Sequence, residues 1–151
     1  MDDLGTVTQV DDGWELRFAR RYPHPIEAVW SALTDPNETP AWWGELDADL
    51  RLGGRYVMRW AEGRAVMQGT ITAFDPPRLL ETAGDAVHGR LRWELTPDGD
   101  GTTLVFTSTT AEAPSDGVEG FSRGLAGWHW HMAALAVGLA MIIVGLAFKS
   151  S

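Results

Sequence analysis

Leu50-Arg51-Leu52-Gly53-Gly54-Arg55-Tyr56-Val57-Met58-Arg59-Trp60 decides how this chain folds. The Gly pair separates two alternating segments, so the backbone turns sharply there and starts a strand. Tyr56, Met58 and Trp60 then share one face of that strand, and Val57 and Arg59 the other. A strand that turns an aromatic, a Met and a Trp inward lines something large. The stretch points to a curved sheet enclosing an apolar space.

Alternation continues on both sides of it. Residues 6–20 read as a strand pair or one bent strand around the turn signal Asp11-Asp12-Gly13, with Trp14, Leu16 and Phe18 on one face. Pro23 and Pro25 end it, and Pro25 suits a helix start. Ile26, Val29, Trp30 and Leu33 recur at helical spacing until Asp35-Pro36. Residues 37–43 can form a second short helix. Strands follow over about 46–52, 56–61, 65–74, 79–82, 88–96 and 102–110. Asp98-Gly99-Asp100-Gly101 is a tight-turn signal before the last of them. Residues 111–120 form an acidic, Pro- and Gly-containing loop, and 121–148 a long helix. Consecutive strands joined by short turns make an antiparallel sheet. The expected class is α+β: about six or seven strands, two short helices after the first strand, and one long C-terminal helix.

Composition narrows the function. The chain has 151 residues and is expected to be one domain. A formal net charge of −9 argues against nucleic acid and against docking on anionic lipid. There is no Cys, which excludes disulfides and thiol catalysis. The acidic start Met1-Asp2-Asp3-Leu4-Gly5 lacks the apolar run of a secretory signal, so a cytoplasmic setting is expected. The sequon Asn37-Glu38-Thr39 is then read as chance.

Several motifs resemble a known family. Tyr22-Pro23-His24-Pro25-Ile26-Glu27-Ala28-Val29-Trp30-Ser31-Ala32-Leu33-Thr34-Asp35-Pro36 resembles the opening helix of START-like (SRPBCC) proteins. Trp42-Trp43-Gly44, the run Asp49 to Tyr56, Gly69-Thr70-Ile71-Thr72-Ala73-Phe74-Asp75-Pro76-Pro77-Arg78-Leu79 and Gly127-Trp128 resemble the branch named for homology to the activator of the heat-shock-protein-90 ATPase. The resemblance spans roughly residues 6–135. It implies a helix-grip fold, in which the sheet grips the C-terminal helix over a hydrophobic cavity. It implies less about function, because the superfamily holds carriers, receptors and cyclases. Two features depart from the pattern. Thr107-Ser108-Thr109 stands where the last strand often carries a Thr-His pair, and the C-terminal helix has no polar face.

That helix is apolar all round from Met132 to Phe148, a length of about 25 Å. Trp128, Trp130 and Lys149 flank it as interfacial anchors would. Ala134 and Gly138 have the spacing of close helix packing. It is gripped by the sheet and covered by a second copy, or touches a membrane, or is simply buried. The grip fold needs it as a lid, which argues against full membrane insertion.

The eight Trp residues suit a pocket for a hydrophobic or flat molecule. Candidate ligand-binding residues are Trp30, Tyr56, Met58, Trp60, Met67, Ile71, Trp93, Phe106, Trp128 and Leu135. Orientation would come from His88, Arg59 or Trp60. Arg90, Arg92 and Glu94 read as an outer face. His129 and His131 sit two apart on a helix and diverge, so they do not make a metal pair. Asp98 and Asp100 echo a calcium loop but lack its closing Glu. No metal and no cofactor are expected. The expected function is binding of a small hydrophobic molecule. A cyclase or hydrolase using the same cavity, and a co-chaperone-like or self-associating module, are the alternatives.

Overall fold

The structure, a computed structural model, describes residues 5–11, 13–111 and 117–149, without the side chains of 143–149. Residues 1–4, Asp12, residues 112–116 of the 111–120 loop and the Phe148 and Lys149 side chains, all read above, lie outside the described residues.

Strands β1 (Thr6–Val10) and β2 (Gly13–Tyr22) are followed by helix α1 (Ile26–Thr34) and a 3₁₀ turn at Thr39–Ala41. Strands β3 (Glu45–Ala48), β4 (Arg55–Trp60), β5 (Ala65–Asp75), β6 (Leu79–Asp85), β7 (Gly89–Asp98) and β8 (Gly101–Thr110) come next, and helix α2 (Val118–Lys149) closes the chain. All eight strands form one antiparallel sheet in the order β1-β2-β8-β7-β6-β5-β4-β3. The expected α+β helix-grip architecture is therefore present, with one strand more than the upper expectation because residues 6–22 make a strand pair. The second short helix is a single 3₁₀ turn.

The Gly pair does what its sequence suggests. Gly53 has φ +82, and a Cβ on Gly54 would lie 1.9 Å from the Asp49 carbonyl oxygen. Both residues still bond to β5: Gly53 N–H donates to the Ile71 carbonyl, and Ile71 N–H to the Gly54 carbonyl, each at 2.8 Å. This turn uses more chain than expected. Strand β3 ends at Ala48 instead of reaching Leu52, leaving Leu50 and Leu52 exposed.

Row by row, the register assembles the core. Phe18 pairs with Phe106, Phe106 with Trp93, and Trp93 with Leu80, so four buried side chains stand abreast on the inner face. Helix α2 lies over them. Its buried residues Trp128, Met132, Leu135 and Leu139 recur at helical spacing. Tyr22 Oη donates to the Met132 carbonyl at 2.9 Å and ties α2 to β2. Trp42 Nε1 donates to the Ala32 carbonyl at 2.8 Å and ties the 3₁₀ segment to α1. On the outer face, Arg92 bridges Glu81 at 2.9 Å and Glu94 at 2.6 Å, as the outer-face reading expected. The acidic turn before β8 is held by Arg21, which bonds Asp98 at 3.0 Å.

Gly138 is buried against the 3₁₀ segment, and a Cβ there would lie 2.9 Å from Trp42 Cβ and 3.1 Å from the Ala41 carbonyl oxygen. The small residue thus serves packing within the chain. Ala favours a helix over Gly by about 1 kcal/mol, while overpacking costs about 1–3 kcal/mol. Gly138→Ala is expected to be net destabilising, by about 1 kcal/mol. Urea denaturation reads it, and a more stable variant would show that the helix can shift away from Trp42 freely.

The other side of α2 is uncovered. Trp130, Val137 and Met141 are each more than 60% exposed. The stretch Val118–Ile142 is long and apolar enough to cross a membrane by length and composition, and 33% of its most apolar window is buried inside the protein. This outer stripe is the surface that the expected self-association would use.

Candidate ligand-binding cleft

The inner face of the sheet shrinks toward one end. Along β8 the inward side chains run Phe106, Ser108, Thr110. Ser108 stands between Leu16 on β2 and Leu91 on β7, one row beyond the Phe18–Phe106–Trp93 row. Opposite them, the first half of α2 presents Gly120, Gly124 and Gly127. Small residues on both walls leave a cleft of about 700 Å³. Trp14 and Leu16 of β2, the 86–88 turn between β6 and β7, and Trp60 at the end of β4 complete it, with Phe121, Trp128 and His131 from α2.

Most of the expected pocket residues are elsewhere. Of the ten, Trp60 and Trp128 line the cleft. Tyr56, Met58, Met67, Ile71, Trp93, Phe106 and Leu135 are no more than 1% exposed and pack in the core. Trp30 is half-buried against Phe74, with ring centroids 5.8 Å apart, and also lies outside the cleft. The reason is volume. Trp43, from the loop after the 3₁₀ turn, reaches in to 5.7 Å from both Trp93 and Trp128. Trp42 meets Trp93 edge-on at 6.1 Å, and Phe106 sits 4.3 Å from Trp93 and 4.4 Å from Trp128. These rings fill the space that alternation alone leaves looking hollow. Tyr56 is likewise structural: it donates to the Leu33 carbonyl at 2.7 Å, and burial pushes its hydroxyl above its ordinary range.

Of the three orienting residues expected, His88 and Trp60 are in the cleft wall, and Arg59 is exposed beside a smaller neighbouring depression. Asp85 organises the turn that carries His88. Its carboxylate accepts from the N–H groups of Gln68, Val87 and His88 at 2.8, 3.0 and 2.7 Å. The His88 ring adds Nδ1, 2.9 Å away. Burial works to raise this carboxyl, and the four hydrogen bonds outweigh it and hold it below the usual carboxylate range. Gly89 ends the turn at φ +66, where a Cβ would lie 2.1 Å from the Thr109 carbonyl oxygen. Ser108 Oγ donates to the His88 carbonyl at 3.2 Å. The last strand has no His, and the imidazoles beside it come instead from His88 and His131.

His131 is 9% exposed and sits among indoles: Trp128 at 5.4 Å, Trp60 at 6.0 Å and Trp43 at 6.1 Å. Burial, helped by nearby His88, pushes its pKa down from 6.5 to about 4, so the ring is neutral near neutral pH. Its Nδ1 is buried and has no hydrogen-bond partner. His129 turns away, and Arg20 approaches its Nδ1 at 2.7 Å. Trp14, Leu16, Ser108, Phe121 and Gly124 are cleft residues that sequence reasoning did not nominate. The signal available was the run Gly120, Gly124, Gly127 on one helix, opposite a strand whose inward residues shrink.

Comparison with known proteins gives the same fold. No curated protein matches the chain. Among solved structures, CalU16 from Micromonospora echinospora superposes with a TM-score of 0.71 at 23% identity, over 99% of this chain and 91% of that one. Protein MLL2253 from Mesorhizobium loti gives 0.70 at 22% identity, over 84% and 97%. DynU16, a protein in the dynemicin biosynthetic locus, gives 0.67 at 24% identity, over 84% of this chain and 46% of its own. The chain thus spans about half of DynU16. At these identities the likeness establishes the fold. The family model described as Activator of Hsp90 ATPase homolog 1-like protein matches residues 23–139, most of the chain, a span that runs from just after β2 into α2. This chain belongs to that family.

Proposed function

We propose that the chain binds a small hydrophobic molecule in the cleft between the shrinking end of the sheet and the first half of α2. The single observation that carries this reading is the cleft itself. About 700 Å³ is walled by Trp14, Trp60, Phe121 and Trp128, with polar groups in His88, Ser108, Thr110, Arg123 and His131. Small-molecule sites have this size and this mixture. Removing each 100 Å² of ligand surface from water would contribute about 2.5 kcal/mol, and the polar groups would set orientation. The setting of DynU16 in a biosynthetic locus is in keeping with a small-molecule ligand. Nothing in the reading requires a chaperone partner, since a fold serves many functions.

Native mass spectrometry of protein purified without detergent from its own host tests the reading. An extra mass that vanishes on denaturation is expected. A blocking variant gives a second test. Gly127 lines the cleft, and a Cβ there meets nothing within 4 Å. Gly127→Leu therefore extends a side chain from the cleft wall without a first clash, and gains about 1 kcal/mol of helix propensity. We expect unchanged or raised thermal stability together with at least a tenfold loss of affinity for a fluorescent hydrophobic probe such as anilinonaphthalene sulfonate, about 1.4 kcal/mol. Unchanged probe affinity would place binding elsewhere.

A further inference from the structure

We propose that the cleft is also catalytic: His88 is a general base that abstracts a proton next to the carbonyl of a bound apolar ketone, with His131 as hydrogen-bond donor to the oxygen. The inference rests on the reading of the cleft as a ligand site and adds a reaction to it.

Three observations lead there. First, His88 is oriented. Its Nδ1 lies 2.9 Å from an Asp85 carboxylate oxygen that is itself fixed by three backbone N–H groups. A carboxylate on one ring nitrogen selects the Nδ1–H form and leaves Nε2 as the basic atom, which is how a histidine base is activated and aimed. A purely structural turn is already closed by the Val87 and His88 N–H bonds to Asp85 and does not call for the imidazole. Second, the serine hydroxyl of the cleft is committed elsewhere. Ser108 donates to the His88 carbonyl at 3.2 Å, so the geometry supplies a base without a serine nucleophile. Third, a second imidazole stands in the same wall. His131 is neutral near neutral pH, and its buried Nδ1 has no partner. With Nδ1 shut off from the cleft, Nε2 is the nitrogen whose N–H can meet a ligand oxygen. A neutral imidazole polarises a carbonyl as a hydrogen-bond donor without handing over a proton.

Base, donor and walls that are mostly apolar suffice for enolisation. His88 Nε2 takes the α-proton. The C–H pair becomes the new C=C bond, and the carbonyl π pair moves to oxygen, where it meets the His131 N–H. The proton then returns from His88 to the α-carbon or to a conjugated carbon further along. Substrate and product are isomers, and no co-reactant is consumed. Aromatic walls favour a flat ketone with an acidic α-C–H, and a donor already in place at the oxygen stabilises the developing enolate.

β-Tetralone is a suitable probe: flat, apolar and enolisable. Its binding is read by quenching of Trp fluorescence, and its enolisation by loss of the α-proton NMR signal in D₂O. With wild-type protein, exchange is expected to be saturable and faster than in an equal concentration of free imidazole. His88→Gln should lower kcat by at least about 100-fold, the usual scale of general base catalysis, with KM little changed. Asp85→Asn, the positioning residue, should lower kcat with little change in KM. His88→Asn replaces His88→Gln if the latter does not fold by circular dichroism. Saturable binding with exchange no faster than in His88→Gln would overturn the catalytic inference and leave the ligand-binding reading intact. No saturable quenching by β-tetralone would count against the cleft as a site for such ligands, and the inference would fall with it.

Discussion

Trp93→Ala is expected to destabilise the protein by about 3–5 kcal/mol, the range measured for large aromatic deletions in cores. For a chain of this size that is a drop in Tm of about 10 °C or more. Trp93 is the hub of the packing. It touches Phe106 at 4.3 Å, Trp43 at 5.7 Å, Trp42 at 6.1 Å and Trp128 at 6.1 Å, and it is 1% exposed. Removing the indole frees rings from three other segments at once: the 3₁₀ loop, β8 and α2. None of the remaining neighbours can fill the gap without leaving its own place. The comparison with Trp60→Ala is the sharper part of the test. Trp60 is only half-buried and lines the cleft, so its removal should cost less stability and more ligand affinity. Guanidinium unfolding of both variants decides it. Equal losses would mean that the expected cavity under the middle of the sheet exists after all and that Trp93 borders it.

The second large effect is a fall in stability with acidity that belongs to His131. Its pKa is 6.5 in an ordinary setting and about 4 in the fold. Above 6.5 the ring is neutral in both states and costs nothing. Between 6.5 and about 4 the unfolded chain takes up a proton that the folded chain does not, so stability falls as pH falls. The loss is complete near the folded value and amounts to about 3 kcal/mol, at about 1.4 kcal/mol for each pH unit. His131→Asn keeps a polar side chain and cannot titrate. Its stability is expected to fall less steeply than that of the wild type across this window, and the difference between the two curves isolates His131 from the carboxylates. The imidazole NMR signal of His131 should titrate near 4. A midpoint above 6.5 would instead show that the surrounding indole faces hold the cation by cation–π attraction, and the slope would reverse.

Much of the architecture was legible in the sequence because it rests on local rules. Phe18, Trp93 and Phe106 share alternating strand positions with Leu16, Leu91 and Leu104, and each is fully inward in the fold. Asp98-Gly99-Asp100-Gly101 and Gly53-Gly54 are turns wherever they occur, because left-handed backbone favours Gly. Arg92 and Glu94 fell on the outer face by the same alternation. Boundaries were less secure. Leu50 and Leu52 alternate like strand residues, yet the bonds that close the Gly turn take them out of β3.

The void was not legible in the same way. A cavity is a difference between two packed surfaces, and alternation reports only which way a side chain faces. Tyr56, Met58 and Trp93 face inward as expected, and α2 with Trp42 and Trp43 then fills the space in front of them. The cleft opens where Ser108 and Thr110 happen to meet Gly120, Gly124 and Gly127, and those two sets belong to different elements. The bond from His88 to Asp85 spans only three residues and follows from a local turn. The cleft with both His88 and His131 in its wall joins that turn to α2, a separation that no spacing rule bridges. The order of strands, their inner faces and the gripping helix were therefore determined by the sequence through local backbone and burial preferences. The position of the cleft and the placing of two imidazoles in its wall were decided only by tertiary packing, because packing alone sets which surfaces meet and where they fail to fill the space between them.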